Sequence, residues 1–391
     1  ILGIYLFIRK KYIFAVFIFG ISLFTYQSSR LFVPLILICL VFLYGKQIAL
    51  RNNLKLAGLV FILFISVMGY ITFFSGQSNR LAVQNFFAYR RSQEEIQLIS
   101  GEDNLNINTL PFQVLHGEWW TYARGLGERF MIYFSPKMLF VDGDYNQRQR
   151  VPDLGVLYFF SVILIPLGMV YLLKYPASKI IFFWLLLAPL PAVFSRDLIS
   201  TLRALNMIIP WVVLEGFGLY FLIILLKKLS RSFFIMFMVL VLFFMIFNII
   251  IYLDRYFIHA PKEYSKYWLY GYKQVFEKLS TKKYDKIVVS DAYGQPYIYY
   301  LFYTKYYPEK FQKQSILDQP SVDVGTIRKI DNIEFRQIYW PADRGLKNTL
   351  FIGPEEQLPE KDILPFKEYK VLDDIKFLTN ENAFKVVESN K

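Results

Sequence analysis

Long apolar stretches are the feature that most limits what this chain can fold into. The chain has 391 residues, 55% of them hydrophobic, and a membrane helix needs about 20 consecutive apolar residues. Tyr and Trp at the flanks extend the shorter stretches into the membrane interface. We therefore predict a polytopic α-helical bundle with about seven complete spans, at 12–28, 31–45, 56–74, 153–173, 180–195, 207–226 and 233–252.

The first eight residues, ILGIYLFI, run directly into the basic residues RKK. They lack the charged front and the small-residue cleavage site of a signal peptide. We expect them to be the end of one further, partial span, and hence the chain to be truncated at its N-terminus. The predicted transmembrane domain then covers 1–252 and includes one long loop, 75–152.

Basic residues are distributed unevenly between the connections. Loop 75–152 carries eight basic and eight acidic residues, and the tail from 253 onward is similarly mixed. Eleven Lys or Arg and no acid lie in the short connections 9–11, 46–55, 174–179 and 227–232. Short basic connections are typical of the cytoplasmic side, so loop and tail are predicted to be extracytoplasmic. Most of the net charge of +13 thus reports topology, and we exclude nucleic acid as a partner.

The tail, 253–391, has the pattern of a small extracytoplasmic α/β domain. A helical pattern over 263–279 precedes the strand KIVVS and a helix in QPYIYYLFYTK. Strand-like segments at 333–340 and 349–354 and a hairpin over 375–388 follow, and such alternation favours a layered α/β fold. The tail contains no GxGxxG, P-loop or GxSxG motif. Asp291, after the first strand, is predicted to cap the following turn, with acceptor binding as the alternative.

Few residues are suited to binding a metal. With one cysteine and two histidines in the chain, a site built from Cys or His ligands is not expected. Asp142 and Asp144, in VDGDYN, have the spacing of metal ligands, but a solvated turn is the favoured interpretation. Glu215 lies inside an apolar stretch, where it is either functional or a buried, hydrogen-bonded side chain.

Four segments in order along the chain carry a resemblance to a known family. They resemble the C-terminal two-thirds of bacterial integral-membrane glycosyltransferases of the protein-mannosyltransferase and aminoarabinose-transferase type, in the GT-C superfamily. The segments are FTYQSSRLFVPLIL (24–37), MIYFSPKMLFVDGDYNQRQRVPDLGVLY (131–158), APLPAVFSRDLISTLRALNMIIPW (188–211) and VVSDAYGQPYIYYLFYTKYYPEKFQ (288–312). The resemblance implies a GT-C-like multi-pass protein of the bacterial plasma (inner) membrane. Its donor is a sugar on polyprenyl phosphate, and its acceptor is a protein, lipid or glycan.

The implied reaction transfers the sugar with inversion, and phosphate leaves. The charge on the leaving phosphate calls for guanidinium or ammonium groups at the outer membrane surface. Arg30, Arg196 and Arg203 lie at the outer ends of predicted spans, and we expect them to bind the phosphate. Arginines also snorkel at interfaces without any such role, and Asp197 is available to neutralise Arg196.

Loop 75–152 contributes further candidates. Its segment HGEWWTYARGLGERFMIYFSPKMLF (116–140) ends as an aromatic amphipathic segment, as in a helix that lies on or re-enters the outer leaflet. Trp119, Trp120, Tyr133 and Phe134 are its anchoring residues. Anchoring alone is the alternative to a binding role. The residues expected to line a donor or acceptor cavity are His116, Glu118, Arg124 and Arg129.

The chain departs from the family in one respect. The family's catalytic carboxylate lies in the first extracytoplasmic loop, which we expect upstream of this chain, so no residue here is assigned that role. The resemblance leaves a divalent metal ion open as a cofactor. The alternative is a non-enzymatic transporter or receptor with a ligand-binding tail, although transporters usually show internal repeats and none is seen here.

Overall fold

The protein forms two compact units, Ile1–Tyr252 and Leu253–Lys391. The structure, a computed structural model, describes residues 1–48, 53–74, 84–88, 90–228, 230–279, 284–315 and 325–389. The described part of the first unit is built from helices, and the second contains a six-stranded sheet. The predicted fold class is confirmed at this level: long apolar helices followed by a small α/β unit.

Helices α1 to α11 belong to the described part of the first unit, and α12 begins in that unit and ends just after it, at Asp254. Their bounds are α1 Leu2–Ile8, α2 Tyr12–Ser22, α3 Gln27–Ile48, α4 Asn53–Phe74, α5 Gln93–Asp103, α6 Leu110–His116, α7 Glu118–Ile132, α8 Ser161–Leu172, α9 Lys179–Leu187, α10 Leu190–Val193, α11 Ile208–Leu226 and α12 Arg231–Asp254. Short 3-10 turns at Phe86–Ala88, Pro176–Ser178 and Leu205–Met207 and a π turn at Met138–Asp142 connect them.

Five helical segments in the described residues are long and apolar enough to cross a membrane. They are Gln27–Gly45, Lys55–Phe74, Pro176–Val193, Leu205–Leu226 and Arg231–Glu263. The protein is therefore membrane-associated. The predicted spans 12–28 and 153–173 contain shorter helices, α2 and α8. The backbone turns between Leu23 and Tyr26, and Asp153 adopts a left-handed conformation (φ 56°) ahead of α8.

Two glycines let helices α8 and α11 approach backbone to backbone. A Cβ atom added at Gly168 would lie 1.9 Å from the carbonyl oxygen of Leu214, and one added at Gly218 would lie 1.9 Å from that of Leu164. Both separations are far below van der Waals contact. Packing between small residues is a main source of helix association in membranes, so this crossing fixes the position of α11.

We predict that Gly168→Ala and Gly218→Ala each force α8 and α11 apart. Overpacking typically costs about 1–3 kcal/mol, and here the clash is with rigid backbone. The midpoint of thermal unfolding in detergent, followed by circular dichroism, should fall for both variants. Gly216→Ala is the matched control, because a Cβ there meets nothing within 4 Å. Equal midpoints for Gly168→Ala and Gly216→Ala would contradict the close crossing.

The second unit is a mixed sheet with helices on both faces. Its strands are β1 Lys286–Val289, β2 Lys329–Ile330, β3 Ile333–Phe335, β4 Thr349–Gly353, β5 Tyr369–Lys376 and β6 Asn382–Ser389. They run in the order β2-β3-β1-β4-β6-β5, with β1 parallel to β3 and β4 and the other pairs antiparallel. The helices are α13 Ala260–Glu263, α14 Tyr272–Leu279, α15 Pro296–Tyr303, α16 Pro308–Gln314 and α17 Trp340–Asp343.

The predicted first strand, the following helix and the closing hairpin are confirmed as β1, α15 and β5–β6. The helix predicted over 263–279 is shorter, because Leu269 (φ 59°) and Gly271 (φ 107°) have left-handed backbones that no helix accommodates. The strand predicted over 333–340 ends at Phe335.

The turn that follows β1 is held by a different residue from the one predicted. The hydroxyl of Ser290 accepts the N–H of Ala292 (3.1 Å), and the backbone carbonyl of Asp291 accepts the N–H of Gly294 (3.0 Å). Gly294 has φ 123°, which favours glycine. The prediction that the Asp291 side chain caps this turn is therefore wrong; that side chain is exposed.

Candidate functional site

One pocket of about 140 Å³ in the first unit is lined by residues from two helix ends and from two non-helical segments. It lies at the start of α3, after the end of α10 and in the segment that precedes α11. Its lining residues are Gln27, Ser28, Arg30, Leu31, Gln84, Asn85, Pro191, Phe194, Ser195 and Arg203. Among these described residues are two guanidinium groups and no carboxylate. Arg30 and Arg203, which are distant in sequence, thus line the same pocket. We call it the arginine pocket.

A short antiparallel ladder forms one wall of the arginine pocket. Asn85 pairs with Ser195, Phe86 N–H donates to the Phe194 carbonyl (3.0 Å), and Arg196 N–H donates to the Gln84 carbonyl (2.8 Å). Residues up to Asn85 and Ser195 on the two paired segments line the arginine pocket, whereas the residues that follow them, Phe86 and Arg196, line a second cavity.

The second cavity is wide and open, with a volume of about 440 Å³. We call it the bowl. Its lining residues are Phe86, Thr121, Tyr122, Gly125, Arg129 and Arg196. Four of them come from α7, so the amphipathic helix forms one side of the bowl and the ladder forms the other.

Arg129 joins α7 to the ladder. Its Nη1 donates to the carbonyls of Ser195 and Asp197 (2.8 Å each), and its Nη2 donates to the carbonyl of Arg196 (3.2 Å). The guanidinium also lies 4.7 Å from the ring centre of Phe86. Burial lowers the pKa of Arg129 below its ordinary value, yet a guanidinium stays charged in proteins. Arg129 therefore holds three consecutive peptide groups in place with one charge.

Two buried side chains hold the next part of this segment. The phenolic oxygen of Tyr133 accepts the N–H of Ser200 (2.8 Å), and Asp144 Oδ2 accepts both the N–H and the hydroxyl of Thr201 (2.6 Å each). Asp144 Oδ1 accepts the N–H of Asn146 (2.8 Å). Burial raises the pKa of Tyr133 to about 12, so its hydroxyl stays protonated at neutral pH.

These contacts correct two expectations. The solvated turn predicted at 142–144 is wrong for Asp144, which is only 1% exposed, because both its oxygens bond backbone groups. Asp142 is exposed and lies 3.2 Å from Lys137. Tyr133, expected at the outer leaflet, is fully buried, whereas Trp119 and Trp120 are exposed.

Asp197 forms its ion pair with Arg203, although it follows Arg196 directly in the sequence. The Arg203 side chain is 18% exposed and that of Asp197 is 55% exposed. The contact therefore orients the Arg203 guanidinium at the rim of the arginine pocket. Sequence alone pairs Asp197 with its neighbour; the fold pairs it with a residue six positions later.

The other predicted site residues lie elsewhere. The ring of His116 contacts Asp103, and its carbonyl accepts a hydrogen bond from Arg91, which closes the end of α6. Glu118 occupies the first turn of α7, where a carboxylate is favoured by the helix dipole, and Arg124 is exposed on the same helix. None of His116, Glu118 and Arg124 lines the arginine pocket or the bowl.

A metal site does not emerge from the residues that the structure describes. Among them, no group of three or more His, Cys, Asp or Glu side chains lies close enough together to hold an ion. Asp144, one of the two residues with metal-ligand spacing, already accepts three hydrogen bonds.

Comparisons with known proteins find no relative of this chain. No family model, no curated protein and no solved structure matches it.

We predict that Asp144→Ala loosens the segment from 195 to 203. It leaves two donors of Thr201 without their acceptor, and a buried unpaired donor costs about 1–3 kcal/mol. Limited proteolysis should cut this segment faster, and the midpoint of thermal unfolding should fall. Asp142→Ala is the control, because an exposed ion pair contributes at most about 1 kcal/mol. If both variants behave alike, Asp144 does not anchor the segment.

Proposed function

We propose that this chain functions in an integral-membrane glycosyltransferase of GT-C-like architecture. In this proposal, it transfers a sugar from a polyprenyl-phosphate donor to an acceptor on the extracytoplasmic side of the bacterial plasma membrane. The observation that carries the proposal is the arginine pocket, in which Arg30 and Arg203 meet where the ends of apolar helices converge.

The size and polarity of the arginine pocket favour a phosphate group. Small-molecule sites usually measure about 300–1,000 Å³, so a pocket of about 140 Å³ admits a phosphate but not a whole sugar. Guanidinium groups bind phosphate oxygens in pairs of charge-assisted hydrogen bonds. The amides of Gln27 and Asn85 and the hydroxyl of Ser28 add neutral donors to the same lining.

The surroundings of the pocket favour a phosphate that is attached to a lipid. Helices α3 and α11, which begin at or just after the pocket, belong to segments apolar enough to span a membrane. Leu205 and Ile208, beside Arg203 in the chain, expose more than a third of their surface. A polyprenyl tail could lie against such a surface while its phosphate remains in the pocket.

In the proposed reaction, an oxygen or nitrogen of the acceptor attacks the anomeric carbon from the side opposite the phosphate. The bond between that carbon and the phosphate oxygen breaks, and its electron pair leaves on the phosphate. Arg30 and Arg203 would stabilise the charge that grows there. Electrostatic stabilisation of developing charge is usually the largest single contribution to catalysis. The acceptor's proton passes to a general base, a role that we assign to no residue of this chain.

We predict that Arg30→Ala and Arg203→Ala each weaken binding of undecaprenyl phosphate about 10- to 100-fold. A hydrogen bond to a charged group contributes about 1.5–3 kcal/mol, and each 1.4 kcal/mol is tenfold in affinity. Binding is measured by native mass spectrometry or microscale thermophoresis on the full-length protein in nanodiscs. Arg203→Lys should recover part of the affinity, because it keeps the charge but loses the planar pair of donors.

Lys137→Ala is the control for general loss of positive charge, because its side chain is 79% exposed and lines neither cavity. Unchanged affinity in the Arg30→Ala, Arg203→Ala double variant would refute the phosphate site. Binding of an undecaprenyl-phosphate sugar without any transfer by the full-length protein would favour the non-enzymatic alternative of a transporter or receptor.

A further inference from the structure

The bowl is large enough for a ligand that the arginine pocket cannot hold. Its volume of about 440 Å³ falls within the usual range of small-molecule sites. The two cavities are lined by adjacent residues of the ladder, since Asn85 and Ser195 line one cavity and the next residues in the chain, Phe86 and Arg196, line the other. Ligands bound in the two cavities would be close neighbours.

Aromatic rings form the apolar part of the bowl. The rings of Phe86 and Tyr122 meet edge to face, with centres 5.8 Å apart, and Phe87 packs against Tyr122 at 5.3 Å. Thr121 and Tyr122 add hydroxyl groups beside these rings. An apolar ring face bordered by hydroxyls matches a sugar, which has an apolar C–H face and a rim of hydroxyl groups.

The charge of the bowl is positive. Arg129 and Arg196 belong to its lining, and none of the described residues that line it is a carboxylate. The carbonyl groups that Arg129 bonds carry no net charge, so its positive charge is not cancelled by them. The acids that act on Arg129, Glu128 and Asp197, lie outside the lining, and Asp197 contacts Arg203. A positively charged lining favours an anionic ligand over a neutral one.

We propose that the bowl binds an acidic saccharide, meaning a sugar ring that carries a carboxylate or a phosphate, and that this saccharide is the sugar acceptor. The ring packs on Phe86 and Tyr122, and the anionic group contacts Arg196 at the edge of the ladder. Naming the ligand an acceptor rests on the proposed function; the binding site itself rests on the bowl.

The test is saturation-transfer NMR on the full-length protein in nanodiscs, with four probes. Glucuronate and glucose 6-phosphate should both bind, and glucose and inorganic phosphate should bind at least fivefold more weakly. If only one of the two acidic sugars binds, that result identifies the anionic group of the ligand as a carboxylate or as a phosphate. If glucose binds as tightly as both acidic sugars, or if free phosphate does, the bowl is not a site for an acidic saccharide.

A matched pair of variants on α7 tests the location. A Cβ at Gly125 would lie 2.8 Å from the Phe86 ring, inside the bowl, whereas one at Gly127 meets nothing within 4 Å. Gly125→Phe should reduce glucuronate binding at least tenfold, and Gly127→Phe should leave it unchanged. Arg196→Gln, at an exposed side chain, should weaken the acidic sugars but not glucose. Full glucuronate binding by both Gly125→Phe and Arg196→Gln would overturn the assignment.

Undecaprenyl phosphate binding, measured on the same samples, separates the two proposals. Gly125→Phe should retain it, which also shows that the variant is folded. Should Gly125→Phe fail to fold, Arg196→Gln alone decides the location. If the wild-type protein binds glucuronate but not undecaprenyl phosphate, the bowl stands and the proposed transferase function fails.

Discussion

The grip of Arg129 on three consecutive carbonyls, those of residues 195 to 197, is the contact on which the candidate site depends. Both cavities share the ladder as a wall, and this grip ties that wall to α7. A guanidinium suits the task because its donors lie in one rigid plane and its charge persists despite burial. If the ladder shifted, Ser195 would leave one cavity and Arg196 the other.

The irregular segment between α10 and α11 is stabilised from both sides of its peptide groups. Arg129 donates to its carbonyls, while Tyr133 and Asp144 accept from its N–H groups at Ser200 and Thr201. Buried backbone groups must find partners, and non-helical backbone near a membrane persists only where protein or water supplies them. All three side chains come from residues 129 to 144, so one stretch of the chain anchors the segment that contributes Arg196 to the bowl and Arg203 to the arginine pocket.

The apolar helices could be predicted from sequence because length and hydropathy are local properties, and the strand and hairpin of the tail followed from alternation in the same way. Partners across the fold could not be predicted. Amphipathicity identifies α7 but not what lies opposite it. It therefore predicts Tyr133 at the membrane surface, whereas the side chain is buried and bonds the N–H of Ser200. Asp144 was assigned to solvent because Thr201, its partner, is 57 residues away. The sequence predicts that Arg30 and Arg203 lie at the ends of spans. That they line one pocket depends on how the helices pack, which the sequence does not show.

The ion pair between Arg203 and Asp197 bears on how the arginine pocket tolerates its own charge. Two guanidinium groups that line one pocket of about 140 Å³ repel each other. The carboxylate of Asp197 offsets part of this repulsion without occupying the lining. The same ion pair orients the Arg203 guanidinium, so in the proposed function a phosphate would meet a donor that is already in place. Preorganised donors of this kind act most strongly on charge that develops during a reaction, which is why we propose a leaving phosphate, more than a static counter-ion, as the ligand of the arginine pocket.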